Sequence, residues 1–326
     1  MSVAAVDVGS NSVRLLVLAD DGTRVLRRIT TTRLAEGVDR TGQLDDGAIV
    51  RTVDALVAFR DVWEQHGVST DPQHVRIAAT SAVRDASDRD RFLDRVEERI
   101  GLRVDVISGT EEAALGFAGA TGAVPTEDPC LVIDVGGGST ELVVGRGGTV
   151  LASVSTQLGC VRLTERDLHH DPADPTELAA ATRTADAVLT EGIAVLADGL
   201  APHGLGIADV RTVVAVAGTA TTLAALHLGL DDYEESRIHG TVVEADVLDA
   251  IAAQLAALDI AGRAALGPVQ PGRAEVLHGG AIVLSRALRL LGRPELVVSE
   301  ADSLDALAAR LSATRPDVAG DRTGGA

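Results

Sequence analysis

Apolar runs and glycine turns alternate along the first third of the chain. The run from Val3 to Val6 is typical of a buried strand, and a further strand is predicted at 24–32. Apolar residues recur at helical spacing after Asp45 or Asp46, which predicts a helix that ends near Gln65. Strands at 75–79 and 104–107, with helices at 88–100 and from 108 onward, complete a mixed α/β region.

The rest of the chain repeats this pattern. We predict strands at 131–145 (a hairpin), 150–156, 212–217 and 296–299, and helices at 175–200, after 217, at 244–258 and at 273–291. The Gly- and Pro-containing segment 120–129 separates the two regions. The chain is therefore predicted to be an α/β protein with domains at 1–121 and 122–299. A last helix at 300–313 is predicted to complete the first domain, and the tail 314–326 is predicted to be disordered.

Each region begins with the same short motif: a strand that ends near Asp, a Gly/Ser turn, and a second apolar strand. Glycine turns allow backbone N–H groups to face one concavity and bind phosphate oxygens. Such turns also close ordinary hairpins, but the duplication favours phosphate binding. Asp7 and Asp134 are suited to hold a divalent cation that bridges to phosphate. The predicted phosphate-binding residues of the two turns are Ser10, Asn11 and Ser12, and Gly136, Gly137, Gly138, Ser139 and Thr140.

Composition narrows the class of protein. The 326 residues have a formal net charge of −19, and every basic side chain other than histidine is arginine, which argues against nucleic acid as the main partner. The sequence contains neither an apolar run of transmembrane length nor a signal peptide, so we expect a cytoplasmic protein without a membrane partner. Arginine in the binding region would suit a phosphate ligand, because its planar fork binds phosphate oxygens bidentately.

Ordered motifs from about residue 3 to 311 resemble the exopolyphosphatase/guanosine pentaphosphate phosphatase (Ppx/GppA) family of the actin–hexokinase–acetate kinase superfamily. The resemblance implies two actin-like (ribonuclease H-like) domains with a cleft between them, and often a homodimer. The matching stretches are Asp7-Val8-Gly9-Ser10-Asn11-Ser12, Ala79-Thr80-Ser81-Ala82-Val83-Arg84-Asp85-Ala86, Ile107-Ser108-Gly109-Thr110-Glu111-Glu112-Ala113, Ile133-Asp134-Val135-Gly136-Gly137-Gly138-Ser139-Thr140-Glu141, Leu158-Gly159-Cys160-Val161-Arg162, Ala217-Gly218-Thr219-Ala220-Thr221 and Gly279-Gly280-Ala281.

The resemblance also implies a chemistry: hydrolysis of a terminal phosphoanhydride with Mg²⁺ (or Mn²⁺). Glu112 matches the family's general base, and a carboxylate there is suited to deprotonate water. The alternative is that Glu111 and Glu112 only stabilise a helix N-terminus. Arg84 matches a phosphate-contacting arginine, although an ion pair with Asp85 or Asp88 is the alternative. Asp134 and Glu141 match positions for metal or water, and the turn at Gly218 and Thr219 is a further predicted phosphate contact.

Several functions stay open at this point. Exopolyphosphatase activity is the leading hypothesis, and guanosine pentaphosphate hydrolysis is the alternative within the same reaction class. A small-molecule kinase of acetate or sugar type and a non-catalytic polyphosphate or nucleotide sensor belong to other classes. The chain ends after the second domain, unlike longer family members with an additional helical domain. It resembles the short actinobacterial-type forms, and we therefore expect a preference for shorter polyphosphate.

Overall fold

The computed structural model describes residues 2–270 and 272–313. The chain divides into two compact units: unit 1 contains the chain up to Glu112 and the segment from Leu304 onward, and unit 2 runs from Ala113 to Ser303. The division falls inside the helix Gly109–Gly122, whereas the predicted boundary after residue 121 lies at the end of that helix. The predicted disordered tail, 314–326, lies outside the described residues.

The strands of the described chain form two mixed sheets. Unit 1 has the strand order β3-β2-β1-β4-β5, and unit 2 has the order β10-β11-β9-β6-β7-β8. Counted from β8, the second sheet repeats the order of the first and adds β10 at its edge, which confirms the predicted α/β class with a duplicated core. The strands are β1 (Val3–Val8), β2 (Ser12–Leu18), β3 (Arg24–Thr31), β4 (Val75–Ala79), β5 (Val104–Val106), β6 (Cys130–Val135), β7 (Thr140–Arg146), β8 (Thr149–Thr156), β9 (Thr212–Val216), β10 (Val242–Glu244) and β11 (Glu295–Val298).

The directions of the strands determine at which edge of each sheet the loops lie. In unit 1, β1 is antiparallel to β2 and parallel to β4, which is parallel to β5. In unit 2, β6 is antiparallel to β7 and parallel to β9, which is parallel to β11. Ligands of α/β proteins usually bind beyond the carboxyl ends of parallel strands. The two duplicated hairpin turns, after β1 and β6, lie at this edge of their respective sheets.

The helices range from one turn to more than six turns. The sequence patterns predicted α2, α4, α5, α7, α8, α10, α12 and α13. The helices α1, α3, α6, α9 and α11 were missed because each has eight residues or fewer, too few for a periodic apolar pattern. The helices are α1 (Val38–Thr41), α2 (Asp46–Gln65), α3 (Ser81–Asp85), α4 (Arg89–Ile100), α5 (Gly109–Gly122), α6 (Cys160–Asp167), α7 (Pro175–Leu200), α8 (Ala217–His227), α9 (Glu235–Ile238), α10 (Ala245–Ala257), α11 (Ile260–Ala264), α12 (Leu277–Leu290) and α13 (Ser303–Ala313).

Side-chain caps and apolar faces define the long helices. Asp45 accepts a hydrogen bond from the Ala48 N–H at 2.9 Å and so starts α2. The buried face of α2 includes Trp63, whose indole N–H donates to Thr70 Oγ1 at 2.9 Å. In unit 2, Asp174 starts α7 with a capping box, and α12 is buried along most of its length. Along the described chain, none of the helices has the length and apolarity needed to span a membrane.

His278 is a buried histidine near the start of α12, with only 2% of its surface exposed. Its Nδ1 is buried and has no hydrogen-bond partner among the described residues. Burial, and then the charge of Arg263, lower the pKa of His278 to about 4 from the ordinary 6.5. The folded protein therefore holds His278 neutral, with a depressed pKa, inside the core of unit 2.

The depressed pKa of His278 predicts that the folded protein loses stability in acid. Below pH 6.5 the unfolded chain binds a proton at His278 that the folded chain rejects down to about pH 4, so the free energy of unfolding falls as the pH falls through this window. The decrease in the free energy of unfolding that is due to His278 amounts to about 3 kcal/mol at most. Urea unfolding of wild type and His278→Asn between pH 4 and 7 measures it, with exposed His203→Asn as the control. An unchanged pH slope in His278→Asn would contradict the assignment.

Candidate active site

Backbone hydrogen bonds fix the first hairpin turn on two sides. The Gly9 N–H donates to the Ser12 carbonyl at 3.0 Å and closes the turn between β1 and β2. The Asn11 carbonyl accepts from the N–H groups of Thr32 and Arg33, at 3.0 and 2.9 Å, in the segment that follows β3. The turn that carries the predicted phosphate ligands is therefore held in one conformation by its own strands and by the β3 extension.

The side chain of Ser10 connects this turn to the start of α3. Its Oγ lies 3.1 Å from the Oγ of Ser81. The Thr80 N–H donates to the Val8 carbonyl at 3.3 Å, so the loop after β4 lies beside the loop after β1. The two hydroxyl groups at this edge of unit 1 are the type of short donor that binds phosphate oxygens.

Asp7 forms an ion pair with Arg14, its partner across the first hairpin. The Arg14 Nε donates to Asp7 Oδ2 at 2.9 Å, and Nη2 donates to the same oxygen. Asp7 is buried, so the guanidinium supplies the positive charge that this carboxylate requires. The Asp7 carboxylate is therefore neutralised by an arginine of its own hairpin, which disfavours a metal there, and metal binding by Asp7 stays a prediction.

The predicted base and the predicted phosphate ligand of unit 1 are in direct contact. Arg84, on α3, donates from Nη1 to Glu112 Oε2 at 3.0 Å and to the Ile107 carbonyl at 3.1 Å. Its Nε lies 3.6 Å from Asp85. The side chains of Arg84 and Glu112 are 29% and 33% exposed, so both are accessible to a ligand. Arg84 therefore orients the Glu112 carboxylate while it remains accessible itself.

Glu111 has a different set of partners from its neighbour Glu112. Its N–H donates to Ser108 Oγ at 3.1 Å, which stabilises the first turn of α5. Its carboxylate accepts from Arg76 Nη2 at 3.1 Å, and Arg76 Nε also donates to Asp105 at 2.9 Å. Glu111 is thus part of an ion-pair network between α5, β4 and β5, and Glu112 is the glutamate that contacts Arg84.

The second hairpin turn presents backbone donors. The carbonyls of Gly136 and Gly137 accept from the first two N–H groups of α6, those of Cys160 and Val161, each at 2.9 Å. Because the C=O and N–H of a trans peptide point in opposite directions, the N–H groups of Gly137 and Gly138 point away from α6. Successive N–H groups in such a turn form a concavity suited to an anion.

The second turn closes on itself and lies directly against the residue before α6. The Gly136 N–H donates to the Ser139 carbonyl at 3.0 Å and closes the turn as in the first hairpin. A Cβ at Gly159, the residue before α6, would lie 2.5 Å from the backbone carbonyl of Gly137. A side chain at 159 would therefore separate the turn from the helix that holds its carbonyls.

Two carboxylates face each other across the second hairpin. Asp134 on β6 is paired in register with Glu141 on β7, and Glu141 is paired with Ser155 on β8. The Ser155 hydroxyl donates to Glu141 Oε1 at 2.8 Å. In the first hairpin the corresponding pair is Asp7 and Arg14. Like charges at opposite positions are unfavourable unless a cation is shared, so the second hairpin is the one suited to a metal.

Two of the predicted phosphate ligands, Thr140 and Thr219, have hydroxyl groups that donate to backbone carbonyls. The Thr140 side chain is fully buried, and its hydroxyl donates to the Leu158 carbonyl at 2.6 Å. Thr219 is 4% exposed, and its hydroxyl donates to the Val135 carbonyl at 3.3 Å. Both hydroxyls hold the hairpin and the start of α8 in place through these bonds, and phosphate binding by Thr140 and Thr219 stays a prediction.

Arg273 lies directly against Gly218. A Cβ at 218 would lie only 1.5 Å from Arg273 Nη1, so the glycine leaves room for the guanidinium. Ala217, the first residue of α8, has a left-handed φ of 64°, a strained conformation for a non-glycine residue and one that is common at functional sites. The guanidinium and the N-terminus of α8 both favour an anion. No sequence motif indicated Arg273.

A hydrogen-bonded tyrosine joins two loops at the same edge of unit 2. The Tyr233 hydroxyl lies 2.6 Å from Glu300 Oε1, after β11, and 2.7 Å from Thr221 Oγ1, in α8. Burial, and then the charge of Glu300, raise the pKa of Tyr233, which keeps the phenol protonated. The phenol therefore fixes the position of α8 relative to the loop after β11, and sequence analysis did not identify it.

A separate cluster of ionisable groups lies at the start of α7. Within the described chain, His170, Asp174 and Glu177 are the one group of three potential metal ligands whose ligand atoms lie within 4.8 Å of one another. Glu177 Oε1 lies 2.8 Å from His170 Nδ1 and accepts from the His169 N–H at 3.0 Å. These contacts stabilise the helix cap, which accounts for the cluster without a metal.

The fold and these motifs agree with comparisons over nearly the whole chain. A model of the Ppx/GppA phosphatase family matches residues 17–303. The chain is 40% identical to Exopolyphosphatase 2 of Mycobacterium tuberculosis, over 95% of this chain and 98% of that protein. A Ppx/GppA family structure from Aquifex aeolicus has a TM-score of 0.81 at 28% identity. An exopolyphosphatase structure from Cytophaga hutchinsonii has a TM-score of 0.81 at 25% identity. Each of these two matches covers 97% of this chain and 99% of the other chain. The chain therefore belongs to the Ppx/GppA phosphatase family.

Proposed function

We propose that this protein is an exopolyphosphatase, which releases orthophosphate from the ends of inorganic polyphosphate. The observation that carries the proposal is the contact between Glu112 and Arg84, 3.0 Å apart. It joins a carboxylate that can accept a proton from water to a cation that can bind phosphate. The name of the M. tuberculosis relative, at 40% identity, supports polyphosphate as the substrate.

Each unit contains its own set of candidate phosphate donors. Unit 1 contributes Arg84 and the turn that contains Ser10, Asn11 and Ser12. Unit 2 contributes the N–H groups after Gly136 and the N-terminus of α8 at Gly218. Arg273 joins this set because its guanidinium lies against Gly218 and, among the described residues, has no carboxylate partner. Each of these two sets can offset the negative charge of a phosphate ligand in a chain whose own net charge is −19.

The reaction is an in-line displacement at the terminal phosphorus. Glu112 accepts a proton from water as the water oxygen forms a bond to that phosphorus. The bond between the terminal phosphorus and the bridging oxygen breaks, and this oxygen stays on the shortened chain. Arg84 stabilises the negative charge on the phosphoryl oxygens in the transition state. The products are orthophosphate and a polyphosphate with one unit fewer.

Asp134 and Glu141 are the residues that would hold Mg²⁺ (or Mn²⁺). Their side chains lie opposite each other in register, and carboxylate oxygens are the ligands that this ion prefers. Mg²⁺ is usually bound by one or two carboxylates together with substrate phosphates, which matches this donor set. The ion would supply positive charge to the phosphoryl oxygens. Ser155 holds one oxygen of Glu141, so the side chain is fixed for this role.

Replacement of Arg84 tests its proposed role. We expect Arg84→Gln to lower kcat/KM for tripolyphosphate by about 10- to 100-fold, because a charge-assisted hydrogen bond to phosphate is lost. Steady-state phosphate release measures this effect. Arg99→Gln is the matched control, since Arg99 is an exposed arginine in the last turn of α4. An unchanged kcat/KM in Arg84→Gln would argue against the phosphate contact.

Substrate choice is tested by parallel assays of phosphate release with Mg²⁺. We expect release from tripolyphosphate and from long-chain polyphosphate, with kcat/KM higher than for guanosine pentaphosphate. A higher kcat/KM for guanosine pentaphosphate would identify a nucleotide phosphatase instead. ATP-dependent phosphorylation of acetate or a sugar would identify a kinase. Binding of polyphosphate without any release would identify a sensor.

A further inference from the structure

An arginine-rich segment surrounds β3. Residues 22–35 contain four arginines and neither Asp nor Glu, in a chain with 48 acidic and 29 basic residues. The four are Arg24, Arg27, Arg28 and Arg33. Polyanions bind along such rows of cationic side chains. This segment therefore differs in charge from the rest of the chain and is a candidate binding surface.

β3 is the edge strand of the unit 1 sheet, and most of its residues are exposed. Its register with β2 runs from Thr31 opposite Ser12, beside the first hairpin turn, to Arg24 opposite Leu18. At ~3.3 Å per residue the strand leads about 23 Å away from the turn. The edge also presents backbone N–H groups that no neighbouring strand pairs. β3 therefore forms a basic edge that starts at a proposed phosphate-binding turn.

The arginines of this edge differ in their ion pairs. Arg24 and Arg27 share one carboxylate, that of Asp305 on α13, at 3.2 and 3.0 Å. Arg28 and Arg33 are exposed, and among the described residues neither has an ion-pair partner. The register pairs Arg28 with Leu15 and Arg27 with Leu16, so the arginines project from both faces of the strand. An anion that lies along the edge can therefore be contacted from either side.

Arg33 connects the edge to the turn. Its N–H donates to the Asn11 carbonyl at 2.9 Å, in the turn that contains Ser10 and Ser12. Its φ of 52° is left-handed, a strained conformation for a residue other than glycine. A strained backbone at a cationic residue, fixed to a phosphate-binding turn, is independent of the charge pattern and indicates a functional constraint at this position.

We propose that the β3 edge is a subsite for polyphosphate units distant from the chain end that is hydrolysed. The inference rests on the proposed function and deepens it, because it assigns a surface that only a substrate longer than a few phosphates can reach. A second copy of this chain is a poor occupant, since antiparallel pairing of two β3 edges brings arginines opposite arginines. An acidic peptide shares the required charge, and its binding is an outcome of the test.

The experiment compares Arg28→Gln and Arg33→Gln with wild type on two substrates. We expect the ratio of KM for long-chain polyphosphate to KM for tripolyphosphate to rise about tenfold in the double variant. The double variant Arg183→Gln/Arg211→Gln removes the same charge from exposed positions of unit 2 and should leave the ratio unchanged. Binding of long-chain polyphosphate, measured without Mg²⁺, should also lose about one unit of salt-dependence slope for each arginine removed.

An unchanged KM ratio in the β3 variant would overturn the proposal, as would an equal rise in the unit 2 control. Stronger competition by an acidic peptide than by polyphosphate of equal charge would assign the edge to a peptide instead. Failure of the proposed function is distinguishable. If wild type releases phosphate from neither substrate, but the β3 variant alone loses length-dependent polyphosphate binding, the subsite stands and the hydrolase assignment fails.

Discussion

Glu112→Gln is expected to lower kcat for phosphate release by about 1000-fold while polyphosphate binding is retained. The amide keeps the size of the carboxylate and an oxygen that Arg84 can contact, but it cannot accept the proton of the attacking water. Steady-state phosphate release from tripolyphosphate measures kcat, and equilibrium binding of long-chain polyphosphate measures affinity. The effect should therefore appear in kcat and not in binding.

The adjacent residue provides the control. Glu111→Gln removes the same charge from the same turn of α5, but its carboxylate contacts Arg76 instead of Arg84. We expect its kcat to stay within a few-fold of wild type. Near-normal turnover in Glu112→Gln would remove Glu112 from the role of base, and equal losses in both variants would indicate a general effect of charge at the helix N-terminus.

The second large effect concerns the divalent cation. Asp134→Asn and Glu141→Gln are each expected to raise the Mg²⁺ concentration for half-maximal activity by at least about tenfold, because each removes one of two facing carboxylates. Mn²⁺ binding in the absence of substrate, followed by electron paramagnetic resonance, should weaken in parallel. This second readout is independent of turnover.

The first hairpin supplies the matched control for this prediction. Asp7 occupies the position that corresponds to Asp134, but Arg14 neutralises it. Asp7→Asn should therefore lower stability, because it breaks a buried ion pair, without a change in Mn²⁺ binding. Weaker Mn²⁺ binding in Asp7→Asn, with unchanged binding in Asp134→Asn, would place the cation at the first hairpin instead.

The sequence predicted the parts of the fold that depend on local pattern. Apolar runs on both sides of a glycine turn identified the hairpins after β1 and β6, and periodic apolar residues identified the long helices. The short helices were missed because they depend on tertiary contacts: α6 begins where the carbonyls of Gly136 and Gly137 accept its first N–H groups. A contact between distant segments leaves no local signal.

Only those residues of the candidate site that belong to recognisable sequence motifs could be predicted. The difference between the hairpins could have been read from the sequence, because Arg14 and Glu141 each follow their aspartate by the same interval. The buried role of Thr140 could not be read from the sequence, because a threonine whose hydroxyl binds a carbonyl looks the same there as one whose hydroxyl binds phosphate. Arg273 also left no signal: it contacts Gly218 only through tertiary structure.

Hydrolysis of tripolyphosphate in ¹⁸O-labelled water, stopped before the pyrophosphate product is cleaved, tests the central claim most directly. If water attacks the terminal phosphorus with Glu112 as the base, each orthophosphate released from a polyphosphate end carries one solvent oxygen, and Glu112→Gln releases it about 1000-fold more slowly. Orthophosphate released without the label, with the solvent oxygen on the shortened chain instead, would show attack at the penultimate phosphorus and contradict the account.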